Sequence, residues 1–164
     1  MAAALVVFLG GTFIGLRLLT SEADVTATGP TCEPRAVETG EELTSNLVTI
    51  SVYNASRTAG LANRYSVLLQ RRNFLAGTVA NNPTDLTTDD VLIVTDDPKD
   101  PRVRLVAAQF GGKVRFEKGT VPGSNGVAVL VGRNYADKRL KKKAPTAVES
   151  DRRIDACIPI ASEL

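Results

Sequence analysis

Val48–Tyr65 reads VTISVYNASRTAGLANRY. Val48, Ile50 and Val52 alternate with Thr49, Ser51 and Tyr53, the period-two pattern of a half-buried strand. Leu61, Tyr65, Leu68 and Leu69 then fall at i, i+4, i+7 and i+8, one face of a helix. The polar loop Asn54 to Gly60 joins them. Ser56 or Thr58 can cap the helix, Asn54 can bond to nearby backbone, and Gly60, in the first turn, permits close helix–strand approach. Such a joint can cradle a phosphate on a helix N-terminus. A phosphate loop, however, needs several glycines so that successive N–H groups face the anion. This loop has one, no Lys-Ser/Thr pair follows it, and G-x-G-x-x-G is not met. Packing is therefore its first role. Asn54, Ser56, Arg57 and Thr58 remain the candidate ligand-binding residues, suited to an anion or a sugar hydroxyl.

Downstream the pattern repeats. Asn73 suits the left-handed residue that ends a helix. Phe74 to Val79 reads as a second, weaker strand, broken by Asn81-Asn82-Pro83. Val91-Leu92-Ile93-Val94 is a short apolar run fit for a buried strand. Asp100 caps and Pro101 opens a second helix, whose Val103, Val106, Ala107 and Phe110 share one face and which Gly111-Gly112 stops. Lys113 to Lys118 alternates again, and Val127 to Val131 is a core strand. The order is β-α-β-β-α-β-β. With split pairing in one sheet, right-handed crossovers put both helices on the same face. The expected fold class is α+β: a ferredoxin-like two-layer sandwich, two helices on one face of a four- to five-stranded mixed sheet. A small three-layer α/β fold is the alternative, but two helices are few for covering both faces.

The flanks differ in character. Residues 1–20 are apolar with one charge, Arg17, and just reach the ~20 residues of a membrane-spanning helix. A secretory signal peptide is the rival reading, without a basic start or a clear cleavage site. Residues 21–45 are polar and read as a tether, and residues 46–135 hold the domain. Residues 136–164 form a charged extension that ends on the apolar patch Cys157-Ile158-Pro159-Ile160. Cys32 and Cys157, the two cysteines of the chain, bracket the domain. In an oxidising compartment they make one disulfide, with ~4–5 kcal/mol from closing so long a loop. On that basis the chain is expected in the cell membrane, single-pass, with its domain outside. Two unrelated thiols in an intracellular domain with a misassigned start is the competing reading.

Composition excludes several chemistries. The chain has no histidine, so Ser-His-Asp and Cys-His triads are impossible. It has no tryptophan and eight Phe plus Tyr, a poor stock for stacking platforms. Net charge is +2, too small to imply a polyanion partner by itself. Asp89-Asp90 and Asp96-Asp97 flank one strand, but ~17 Å of strand separates them, too far for one ion. Turn and cap roles explain them better, and no metal or cofactor is expected. The basic run Lys138 to Lys143 could touch anionic lipid or acidic wall polymer, or simply be a solvated, mobile segment.

V-T-I-S-V-Y-N, then G-L-A, then a helix ending in R-R-N-F resembles the LytR C-terminal domain. The later V-L-I-V strand, the R-V-R-L-V-A-A-Q-F-G-G helix and the G-V-A-V-L-V-G-R-N-Y ending are similar to it as well. Asn73 stands where that family usually has glycine. The resemblance spans about residues 46–135, in the stand-alone arrangement of envelope proteins of mycobacteria and their relatives. It implies an extracytoplasmic, non-enzymatic role in cell envelope integrity, with a cell-wall glycopolymer, envelope lipid or envelope protein as partner. A domain outside the cell, without the aromatic strand motifs of an RNA-recognition domain, is expected to bind no nucleic acid. The resemblance carries over no catalytic residues. A carboxylate-based hydrolase or transferase of wall polymers is the alternative, and would need two convergent Asp or Glu residues.

Overall fold

The computed structural model describes residues 32–159. Its elements in chain order are β1 (Cys32–Val37), β2 (Glu42–Thr44), β3 (Thr49–Asn54), α1 (Leu61–Gln70), β4 (Leu75–Asn81), β5 (Val91–Val94), α2 (Pro101–Ala107), β6 (Val114–Glu117), β7 (Val127–Val131), β8 (Ala147–Glu149) and β9 (Ile154–Pro159). The expected anchor, residues 1–20, lies outside the described residues. So do the side chains of Cys32 and Cys157, and with them the expected disulfide. Among the described residues, no helix is long and apolar enough to cross a membrane.

A mixed five-stranded sheet, ordered β4-β3-β7-β5-β6, organises the chain. β3 pairs parallel with β4 and with β7, β5 pairs parallel with β6, and β5 runs antiparallel to β7. The fold is α+β with two helices, as expected, but it is not ferredoxin-like. That topology splits each β-α-β unit by inserting a strand of the other. Here β3–β4 and β5–β6 are each adjacent, and β7 sits between the two units. The physical reason lies in β7 itself. Its sequence VAVLV is buried at all five positions, so it takes the centre, where both faces and both edges are covered.

Adjacent parallel units still place both helices on one face. Leu61, Tyr65 and Leu69 of α1 and Val103 and Val106 of α2 join Ile50, Val52, Val91, Ile93, Val129 and Val131 in a single core. Each large apolar side chain removed from water there contributes about 2 kcal/mol. The opposite face is also covered, so β3 is not half-buried as its alternation suggests. Tyr53, Leu92, Val94, Ala128 and Leu130 pack beneath Val121 and Leu86, which come from connecting loops and not from a third layer of helices. Ser51 is fully buried there. Its Oγ donates to the Asn125 carbonyl (2.6 Å) and accepts from the N–H groups of Thr78 and Asn125 (3.1 Å each). The β3–β4 register shifts at this point, between Ile50 and Val52. Gly77 stands opposite, where a Cβ would lie 2.7 Å from Ser51 Oγ.

Helix ends follow the sequence at three of four termini. Asp100 accepts from the Arg102 N–H (2.8 Å) with Pro101 in the first turn. Asn73 has φ +66°. Its N–H donates to the Gln70 carbonyl and that of Phe74 to Leu69, which closes a Schellman-type end. Gly112, at φ +127°, follows α2. The start of α1 differs. Gly60 itself is the N-cap, at φ +71°, with no side-chain cap. A Cβ there would meet nothing within 4 Å, so glycine serves the left-handed backbone and not close packing. Neither Ser56 nor Thr58 caps: both precede the left-handed turn.

Beyond the sheet, β2 pairs antiparallel with β8, and β1 pairs with β9. These short strands fall within segments 21–45 and 136–164. Leu43, Leu140 and Ile154 are buried, so each flank carries its own apolar anchors.

Candidate functional site

Asn54 ends β3, and its side chain closes the loop that follows. Oδ1 accepts from the Ser56 N–H (3.0 Å) and Oγ–H (2.8 Å), and Nδ2 donates to the Thr58 carbonyl (2.8 Å). The Thr58 N–H donates in turn to Ser56 Oγ (3.1 Å). Asn82, just past β4 on the neighbouring strand, repeats the pattern. Its Oδ1 accepts from the N–H (3.1 Å) and Oγ1–H (2.8 Å) of Thr84, and its Nδ2 donates to the Leu86 carbonyl (2.7 Å). The Leu86 N–H donates to Thr84 Oγ1 (3.2 Å). Two copies of one Asn-x-Ser/Thr turn thus stand at the same end of the sheet. The structure brings Asn54, Ser56 and Thr58 together, and their polar groups bond within the loop. Arg57 points from it, exposed, in no ion pair among the described residues.

A second arrangement was not legible as a site. The run after Tyr135 is held against α1 as a strap. Tyr65 Oη lies 2.9 Å from the Tyr135 carbonyl oxygen and 2.8 Å from that of Lys138. Arg64 Nη1 donates to the Ala136 carbonyl. Arg72 donates to the Lys141 carbonyl (2.8 Å) and to Gln109 Oε1 (2.7 Å). The Lys141 N–H reaches the Gln109 carbonyl (2.8 Å), and Leu140 is buried. Helix and strap enclose an open groove of about 460 Å³. Arg64, Leu68, Arg71 and Arg72 line the helix side, and Arg139, Leu140 and Lys142 the strap side. Five cations and no carboxylate line it. The sequence signal was present in part, because Arg64, Arg71 and Arg72 at i, i+7 and i+8 share one side of a helix.

A third cleft, of about 570 Å³, includes Asp96, Asp100, Arg102 and Asp155 in its lining. Burial opposes ionisation of Asp100, but hydrogen bonds from the Arg102 side chain and N–H, with that residue's charge, outweigh it and hold the carboxyl below its ordinary range. Asp97, bonded by the Lys99 N–H and by Arg152, is also lowered. So are Asp90, beside Asn134 and Lys138, and Asp151, beside Arg152. Asp89 pairs with Arg133 at 3.0 Å. Asp89, Asp90 and Asp97, beside β5, are thus partnered by side chains and turn N–H groups. A general acid for glycoside cleavage needs a raised carboxyl, and Asp90, Asp97, Asp100 and Asp151 shift the other way. Among the described residues, no group of three or more His, Cys, Asp or Glu could hold a metal ion.

A profile of the LytR cell envelope-related transcriptional attenuator family matches residues 47–135, more than half of the chain. The chain belongs to this family. The LytR match takes in the five-stranded sheet, both helices and the Asn54 and Asn82 turns, and ends where the strap begins. Comparison with curated proteins returned no match. Among solved structures, the chain is similar to the soluble domain of a conserved hypothetical secreted protein (Rv2700 ortholog) from Mycobacterium marinum. Identity is 19%, coverage is 65% of this chain and 70% of that one, and the TM-score is 0.47.

Proposed function

We propose that this protein is a non-enzymatic, membrane-anchored extracytoplasmic module that supports the cell envelope by binding a wall component or partner protein. The observation that carries this reading is the LytR family match over residues 47–135. The lowered carboxyl of Asp100, in the acidic cleft, weighs against the rival hydrolase or transferase chemistry. The apolar composition of residues 1–20 supports the anchor. The pairing of β1 with β9 brings together the two strands that carry Cys32 and Cys157, which supports a disulfide in an oxidising compartment.

Deleting the gene and restoring it in trans tests the role. The expected result is increased envelope permeability to a large antibiotic, reversed by the full chain. It should not be reversed by a chain lacking residues 1–20 and retained in the cytoplasm. Full reversal by the cytoplasmic form would overturn the extracytoplasmic reading. The disulfide has its own test. Mass spectrometry of protein taken from host cells without reduction should show Cys32 and Cys157 linked, and alkylation of both as free thiols would exclude the bond.

A further inference from the structure

The groove between α1 and the strap is the most strongly charged concavity described, and its charges are not balanced. Among the described residues, none of Arg64, Arg71, Arg72, Arg139 or Lys142 enters an ion pair. Like charges gathered at one place repel one another, and a fold that holds them together without counter-charge presents a site for an external anion. Arg64 and Arg72 are fixed by the strap carbonyls they bond. Arg71, Arg139 and Lys142 are exposed, and their side chains make no described hydrogen bond.

We infer that this groove binds a phosphodiester-bearing polymer of the envelope, with its phosphates on the arginines of both banks and its carbon spacers over Leu68 and Leu140. Four of the five cations are arginines, whose planar forks match oxyanions in pairs of parallel hydrogen bonds. The two free oxygens of a phosphodiester, set on a tetrahedral phosphorus, accept donors from helix and strap at once. The leucines between the banks offer apolar ground to an uncharged linker.

A bilayer surface fits less well. Membrane-seated basic faces add inserting aromatic or leucine side chains. The exposed large apolar residues of the described chain are Val67, Val79 and Phe116, of which only Val67 lies on α1. This inference rests on the envelope reading for the origin of its ligand, but the two fail separately: the groove is tested by binding in vitro, the role by permeability in cells.

The test uses the full chain in neutral detergent, with poly(glycerol phosphate) as probe and polygalacturonate, dextran and phosphatidylglycerol–phosphatidylcholine vesicles as comparators. Poly(glycerol phosphate) should bind most tightly, more weakly as salt rises. The triple variant Arg71→Gln, Arg139→Gln, Lys142→Gln should bind about tenfold more weakly or worse, the equivalent of ~1.4 kcal/mol, with an unchanged melting temperature. Lys118→Gln, exposed just after β6 and away from the groove, should bind like the parent. No binding, equal binding of the triple variant, or equal loss in Lys118→Gln would overturn the groove as the site. Preference for polygalacturonate would overturn the phosphate, and preference for the vesicles would replace the polymer with a lipid surface.

Discussion

The hydroxyl of Tyr65 lies 2.8 Å from the carbonyl oxygen of Lys138, seventy-three residues away. That contact fastens the strap to α1 and so fixes one wall of the cationic groove. Tyr65 is fully buried, and its ring packs edge-on to Tyr135 at 5.7 Å and against Phe110 at 6.0 Å. Tyr53, on the other face of the sheet, is equally buried, but its hydroxyl has no partner among the described residues.

These two tyrosines should respond oppositely to the same substitution. Tyr65→Phe removes the hydrogen that satisfies a strap carbonyl and should cost about 1–2 kcal/mol. Tyr53→Phe removes a buried hydroxyl that gains nothing from its surroundings, and should be neutral or slightly stabilising. Urea unfolding of both variants beside the parent checks this. Equal losses would mean that Tyr53 has a partner or that the Tyr65 contact is weak.

Tyr65 also gives stability an alkaline limit. Burial, with a smaller contribution from Tyr135 and against the opposing charge of Arg64, raises its phenol from 10.0 to about 12. The unfolded chain therefore releases this proton first. The associated stability is fully present below pH 10 and is lost as pH rises from about 10 through 12. Two pKa units correspond to ~3 kcal/mol at the limit. Melting curves over pH 8–12 should fall more steeply for the parent than for Tyr65→Phe. Parallel curves would show that other groups set the limit.

Local structure was legible because local chemistry decides it. The faces of α1 and α2, the Asn73 turn and the Asp100 cap each depend on a few neighbouring residues. The strand order was not, because adjacent and interleaved β-α-β units put the same helices on the same face with the same periodicity. What separates them is the position of Val127–Val131, set by burial of all five residues on both faces. The strap was hidden for a related reason. Its sequence is charged, and it is held by single anchors, Leu140 and the carbonyls that meet Tyr65 and Arg72, whose partners lie far upstream. The Asn54 loop was recognised as a joint, but its twin at Asn82 was masked by Pro83, which reads as a simple strand breaker.

Gly60 and Gly126 both hold left-handed backbone, at φ +71° and +73°, yet their surroundings differ. A Cβ on Gly60 meets open space, while one on Gly126 would lie 2.1 Å from the Thr49 carbonyl oxygen. Gly60→Ala should cost only the backbone term, about 1–2 kcal/mol. Gly126→Ala must also push β3 from β7, and should cost more than ~3 kcal/mol or prevent folding. Comparable melting temperatures for the two would contradict the close approach at Gly126.

The twin turns should carry similar weight. Asn54→Ala and Asn82→Ala each delete a side chain that makes three hydrogen bonds to its own loop. Each should lose about 1–2 kcal/mol. Arg57→Ala, exposed within the first turn, should stay within ~0.5 kcal/mol of the parent. Hydrogen exchange offers the finer check: protection should fall at Ser56 and Thr58 in one variant and at Thr84 and Leu86 in the other. A large loss from Arg57→Ala would give that side chain a structural partner and weaken its standing as a ligand-binding residue.

Asp100 sets the matching limit in acid. Its carboxylate accepts from the Arg102 N–H at 2.8 Å and pairs with the guanidinium at 2.6 Å, and its side chain is 14% exposed. The folded-state pKa lies below the ordinary 3.8, because these bonds outweigh the cost of burial. The unfolded chain therefore takes up the proton first as pH falls. The stability this group supplies is present above about pH 4 and is lost as pH drops through the folded value. Asp100→Asn keeps an oxygen for the cap but removes the charge. It should cost about 1 kcal/mol at pH 7, and the gap from the parent should close toward pH 2. Asp90, Asp97 and Asp151 are lowered as well and destabilise both proteins alike in acid, so the difference between the two curves isolates Asp100. A gap that stays constant from pH 7 to pH 2 would assign the loss to cap geometry and remove the charge from the account.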